Sequence, residues 1–137
     1  MIRVVDVWHH YGIRPVLKNL SLEVQTGQLV AVMGPNGMGK STLLSLMAGL
    51  LWPLKGYVEI DGIRRRSSIE NEIAIRKKIV YLPVNPFLPP NSTGREFILA
   101  VGRLYDIEEQ RLIEHADQLM ELFDLTNQAD SPIRSYS

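Results

Sequence analysis

The chain has no cysteine, so disulfides and thiolate metal sites are excluded. It has no surplus of either charge: fifteen basic residues balance fifteen acidic ones. General nucleic-acid binders normally carry a basic excess, and this chain gives that class no support. Residues 1–6 lack the apolar stretch of a signal peptide. The longest nearly apolar run, residues 43–54, is twelve residues, well short of the roughly 20 that cross a bilayer. Any role at a membrane is therefore expected to come through a partner. What remains is 137 residues, 45% hydrophobic and 22% charged, the size and composition of one soluble globular domain. There is no internal repeat and no low-complexity tract.

Residues 4–8 and 20–24 read as short strands joined through a polar turn around Gly12-Ile13-Arg14-Pro15. After a turn at Thr26-Gly27, residues 28–33 form an apolar run expected to be a buried strand. A helix is expected over residues 40–50, with Leu43, Leu44, Met47, Leu50 and Leu51 on one face. Residues 57–60 read as a half-buried strand ended by Asp61-Gly62, and residues 79–82 as a last strand. Four prolines within residues 83–90 impose a loop. Thr93-Gly94-Arg95-Glu96 fits a capping box, continued by Phe97, Val101 and Leu104 on one helix face. A second helix over residues 107–123 is expected to bury Leu112, Ala116, Leu119, Met120 and Phe123, and residues 127–137 are polar and turn-rich.

The chemistry is concentrated in Gly34-Pro35-Asn36-Gly37-Met38-Gly39-Lys40-Ser41-Thr42, which matches the phosphate-binding pattern G-x-x-x-x-G-K-[ST]. Glycines let the backbone wrap so that successive amides form an anion-binding nest. The loop opens into a helix N-terminus, where free amides and the helix dipole favour phosphate. Lys40 reaches the β- and γ-phosphates as a point charge and is the candidate catalytic residue. The Ser41 hydroxyl is a hard oxygen ligand for Mg²⁺. The fixed letters arise by chance in well under about 1% of chains this size. Asn36, Gly37, Met38, Gly39, Lys40, Ser41 and Thr42 are thus candidate nucleotide-binding residues, with Ser41 the metal ligand. Tyr11 is a candidate base-stacking aromatic; on its own text it is equally an ordinary strand-edge side chain.

Other residues point elsewhere. His9 and His10 are neighbours on a strand, face opposite ways, and make a poor metal pair. His115 reads as part of a solvated helix face beside Glu114 and Asp117. Arg64-Arg65-Arg66 and Lys77-Lys78 read as exposed turn and helix charge rather than a nucleic-acid patch. Phe87 and Leu88 either pack under the proline-rich loop or belong to a surface that meets a partner.

The series His10-Tyr11-Gly12 with Val16-Leu17, the phosphate loop, Ala48-Gly49-Leu50-Leu51 with Pro53, Gly56, Asp61 and Gly62, then Tyr81-Leu82-Pro83 and Thr93-Gly94-Arg95-Glu96, resembles the nucleotide-binding domain of ATP-binding cassette (ABC) transporters over essentially the whole chain. The resemblance implies an α/β fold: a P-loop NTPase (RecA-like) core with an antiparallel β portion, followed by the start of an α-helical subdomain, truncated at its C-terminal end. It implies a nucleotide-binding core over residues 1–85 and a partial helical subdomain over residues 86–137. It implies Tyr11 as the adenine-stacking residue, Val16 beside the ribose or base, and ATP with Mg²⁺ as cofactors. Implied partners are a transmembrane transporter subunit and a second cassette; the implied location is the cytoplasmic face of the membrane, reached through that partner. Thr93-Gly94-Arg95-Glu96-Phe97 and Arg103-Leu104-Tyr105 are most similar to exporter-type members.

Two departures qualify this expectation. Where the family usually has a Mg²⁺- and water-contacting glutamine, this chain has Val84, which cannot coordinate a metal, with Asn85 beside it. Ser135-Tyr136-Ser137 resembles the opening of the family's signature sequence, with Tyr136 at the leucine place and Ser137 at the serine. The remainder of that signature, the apolar strand ending in Asp-Glu that supplies the general base, and the switch histidine are absent from these residues. A general base contributes about 10²–10⁴ in rate, so these residues are expected to bind ATP without turning it over. In the family the strand before the phosphate loop sits between strands supplied from beyond residue 137. Residues 28–33 are thus expected to lack sheet neighbours, leaving the polypeptide marginal or self-associating. The competing readings are a soluble ABC protein of non-transport type and another phosphate-loop enzyme such as a small-molecule kinase.

Overall fold

The computed structural model describes residues 1–136. The chain divides into two compact units, Met1–Tyr81 and Leu82–Ser137. Ser137, the expected signature serine, lies outside the described residues.

The first unit is built on a four-stranded antiparallel sheet in the order β2-β1-β3-β4. β1 (Ile2–Tyr11) and β2 (Arg14–Val24) form a hairpin whose two-residue turn is Gly12-Ile13, longer on both arms than the hydrophobic text alone suggests. β3 (Lys55–Ile60) pairs with β1 from the other side, then turns at Asp61-Gly62 into the short β4 (Ile63–Arg64). Asp61 and Gly62 have φ of 49° and 77°, the positive pair that a two-residue hairpin favours because it matches the strand twist. The sheet interior is formed by Val4, Val7, Leu17, Val58 and Ile60.

Two helices cover that interior. α1 (Lys40–Ala48) packs Leu43 and Leu46 into the sheet core and stops at Gly49, which adopts the left-handed conformation. Met47 and Leu51 adjoin the core as expected, while Leu44 and Leu50 are exposed. The inward face therefore centres on Leu46, one position away from the expected stripe: the helix closes at Gly49, so Leu50 is no longer on it. A second helix, α2 (Ile69–Arg76), forms where the hydrophobic spacing gives no helical signal of its own. Ser68 caps it by accepting from the Asn71 amide at 3.1 Å, and Ile75 is fully buried against the same core.

Residues 28–33 are not a strand and are not buried. No described strand pairs with them, and every residue of the run is exposed, with Leu29 and Met33 at 101% and 87%. Residues 79–82 likewise form no strand, and only Ile79 adjoins the core. A strand needs neighbours to take its N–H and C=O groups, and neither run has one among the described residues.

In the second unit the proline-rich text is irregular, as expected. α3 (Gly94–Leu104) begins with both halves of the capping box: the Glu96 amide donates to Thr93 Oγ1 at 3.1 Å, and the Thr93 amide donates to Glu96 Oε2 at 2.8 Å. α4 (Glu109–Leu122) buries Leu112, Ala116 and Met120. Leu119 and Phe123, expected inside, are 39% and 66% exposed, and Leu104 on α3 is 77% exposed. The helices meet at Gly102, where a Cβ would lie 2.1 Å from Leu112 Cδ1. A Cβ there would have to displace the Leu112 side chain; of the face expected on α3, Phe97 is half-buried while Val101 and Leu104 are exposed. Arg95 pairs with both Asp117 and Asp130, which holds its guanidinium above its ordinary pKa. Two short 3-10 turns, Thr126–Gln128 and Ile133–Ser135, carry the chain to Tyr136, whose hydroxyl donates to the Gln128 carbonyl at 2.6 Å.

Candidate phosphate-binding site

The loop preceding α1 has the conformation that its composition demands. Gly34, Gly37 and Gly39 all have positive φ. Gly39 is the tightest: a Cβ there would lie 2.8 Å from Val16 Cγ1 and 3.0 Å from Leu17 Cδ2. The loop therefore closes directly onto β2, and the Val16 named from the sequence is brought against it. The Leu43 amide donates to the Gly39 carbonyl at 2.8 Å, opening the helix. No side chain caps that helix start, and no acidic residue sits in its first turn. The positive end of the helix dipole is thus uncompensated by the chain itself, the condition that suits an incoming anion.

Lys40 folds back over the loop. Its ammonium donates to the carbonyls of Gly34 and Pro35 at 2.7 and 2.6 Å. An ammonium has three N–H groups, so one remains for a phosphate oxygen. Ser41, Asn36, Gly37 and Met38 are exposed, whereas Thr42 is buried. The Thr42 hydroxyl lies 3.5 Å from the Tyr11 hydroxyl. That contact joins the end of β1 to the first turn of α1 and brings two separately named candidates together; spacing in the sequence carries no sign of it. Tyr11 is 55% exposed, so its ring stands open beside the loop.

Val84 and Asn85 lie in the irregular start of the second unit, and Val84 is 94% exposed. Phe87 at 84% exposure is not packed under its loop. His115 lies on α4 and is half-buried. The arginine triplet is not simple surface charge. Arg65 is buried, donating from Nε to the Met47 carbonyl and from a terminal nitrogen to Glu72, both at 3.0 Å. Desolvation pulls its pKa below the ordinary value, partly offset by Glu72. Arg64 stacks on Tyr57 and Arg66 on Trp52, the latter at 3.6 Å. These partners come from α1, the segment after it, β3 and α2, all outside the triplet's own turn, which is why a run of charge reads as solvated. A cavity of about 390 Å³ lies beside them, lined by Trp52, Tyr57, Arg65 and Glu72 among others, and it includes no phosphate-loop residue.

With this geometry in hand, comparison with known proteins is decisive. The profile of the family described as ABC transporter matches residues 17–137. The chain belongs to the ABC transporter family. It is 34% identical over 93% of its length to the daunorubicin resistance ATP-binding protein DrrA3 of Streptomyces coeruleorubidus. It is 31% identical over 100% of its length to the ABC transporter ATP-binding protein YxlF of Bacillus subtilis. A solved ATP-binding subunit of an ABC transporter superposes with a TM-score of 0.87 at 27% identity, covering 100% of this chain and 56% of that one. An ATP-binding cassette solved as a dimer in a post-hydrolysis state with ADP and Pi superposes at 0.77, also 27% identical, covering 100% and 63%. The α/β P-loop NTPase fold with its antiparallel portion is thereby established. The chain spans 39% of DrrA3 and 44% of YxlF. Among the described residues no helix is long and apolar enough to cross a membrane.

Proposed function

We propose that this ABC-family chain binds ATP with Mg²⁺ at the Gly34–Thr42 loop, as part of the ATP-hydrolysing subunit that powers transport of a solute across a membrane. The observation that carries the reading is an uncapped helix start beneath a glycine loop, with a lysine ammonium already inside it. These residues fit the cofactor. The amides from Gly37 to Ser41 would hold the phosphate tail, Lys40 would offer its third N–H to the β- and γ-phosphates, and the Ser41 hydroxyl would hold the metal. Magnesium, when bound, neutralises phosphate charge. Asn36, Met38 and Thr42 complete the loop contacts, while Tyr11 stacks on adenine and Val16 lines the ribose side.

The assignment divides residues 1–85, the nucleotide core, from residues 86–137, the partial helical subdomain. The names of the relatives support a transmembrane partner subunit, and a dimeric structural relative supports pairing with a second cassette. The exposed Phe87 fits a surface that meets the membrane partner. The protein then works on the cytoplasmic face of the membrane, and nucleic acid is not a partner.

Calorimetry with MgATP tests the site. Lys40→Ala removes a charge-assisted contact of about 1.5–3 kcal/mol, so binding is expected to weaken roughly 10- to 150-fold. Equal affinity in parent and variant would refute the site.

A further inference from the structure

His9 lies two positions before Tyr11 on β1. Its ring meets the Tyr11 ring edge-on, with centroids 5.0 Å apart and planes at 80°. This is the T-shaped arrangement that aromatic quadrupoles favour. The His9 ring is itself tethered. Nδ1 lies 3.0 Å from the Trp52 carbonyl; a carbonyl can only accept, so the hydrogen-bond network assigns the proton to Nδ1. Nε2 is then the lone-pair nitrogen, and it is buried with no partner. The tether is anchored in turn, because the Leu54 amide donates to the Trp8 carbonyl at 2.8 Å and ties the segment after α1 back to β1.

Tyr11 is therefore held at two points. His9 supports the ring, and Thr42 approaches the hydroxyl at 3.5 Å. The ring nonetheless remains 55% exposed. An exposed tyrosine without such bracing samples several rotamers and must lose that freedom when a base stacks on it. We propose that His9 is a positioning residue that pre-orients Tyr11 for the nucleotide base, an inference that rests on Tyr11 being the base platform. His9 itself touches no nucleotide. Its effect is confined to the base end of the ligand, and the phosphate loop does not depend on it.

Calorimetry on the purified protein with two probes, MgATP and magnesium tripolyphosphate, separates the ends of the site. An aromatic pair contributes about 0.5–1.5 kcal/mol, so His9→Ala is expected to weaken MgATP about 2- to 12-fold and leave tripolyphosphate unchanged. In a Tyr11→Ala background, His9→Ala is expected to cost nothing further. His9→Phe keeps a ring against Tyr11 and is expected to recover at least half of the lost affinity on a logarithmic scale. Should His9→Ala fail to fold, seen as loss of both probes, His9→Gln takes its place: it keeps an N–H for the Trp52 carbonyl, removes the ring, and is expected to show the same selective loss. The proposal is overturned if the ring-less variant binds MgATP like the parent while Tyr11→Ala weakens it. Additive losses in the double variant, or no recovery in His9→Phe, overturn it equally. If Tyr11→Ala leaves MgATP affinity unchanged, the base-platform reading itself fails, and the role of His9 falls with it.

Discussion

β1 and residues 28–33 are both rich in valine and other aliphatic side chains, yet they end in opposite environments. β1 has β2 on one side and β3 on the other, and its Val4 and Val7 are 1% and 0% exposed. Among the described residues no strand lies beside 28–33, and Val30 and Val32 are 53% and 41% exposed. Intrinsic β-preference is about the same in the two runs; the difference is the supply of partners. A β-rich segment is a strand only where another segment takes its hydrogen bonds and covers its side chains. Within the chain, partners come cheaply to a hairpin, because a two-residue turn returns the second strand at once. The run before the phosphate loop has no such neighbour among the described residues.

The contrast breaks most sharply by placing a charge in each run. Val7→Asp buries a carboxylate without a partner and is expected to cost more than about 3 kcal/mol, enough to abolish cooperative unfolding of the first unit. In a polypeptide of these 137 residues, Val32→Asp is expected to stay within about 0.5 kcal/mol of the parent, as for other surface changes. Urea denaturation followed by circular dichroism reads both. Comparable losses in the two variants would mean that residues 28–33 are covered in solution.

The second unit sharpens the same contrast, since its helices do find each other. Gly102→Ala places a methyl 2.1 Å from a Leu112 carbon. Overpacking of this kind costs about 1–3 kcal/mol, against a helix-propensity gain of up to about 1 kcal/mol. A net loss in thermal stability is expected, and an increase would show that α3 and α4 do not meet there. Thr93→Ala, which removes a cap made entirely within four residues, is expected to cost about 1 kcal/mol, read as fraying of α3 by amide exchange.

The smallest effect falls on a surface partnership. The N-terminal ammonium and Lys78 hold the Asp61 carboxyl below its ordinary pKa. A depressed folded-state pKa gives stability that is complete above the unfolded value and disappears as pH falls through the folded one. Asp61→Asn is therefore expected to be slightly less stable than the parent at neutral pH, with the gap closing on acidification below the ordinary carboxylate range and narrowing with salt. A gap that persists in acid would assign the effect to something other than charge.

Local text carried a definite part of this protein. The capping box at Thr93 and Glu96, the turn at Asp61-Gly62, the loop over residues 83–90 and the phosphate loop running into α1 each depend on residues within one or two turns of chain. Their determinants are dihedral preferences and short-range hydrogen bonds, which accompany the sequence wherever it goes. Tertiary structure decided the rest: that Leu46 faces inward and Leu50 does not, that α2 forms and buries Ile75, that Arg65 lies inside against Met47 and Glu72, and that Thr42 meets Tyr11. Burial and pairing are properties of two segments at once, and the second segment is named only when the chain has folded. Residues 28–33 state the rule from the other side: their text is that of a strand, and among the described residues no segment pairs with them.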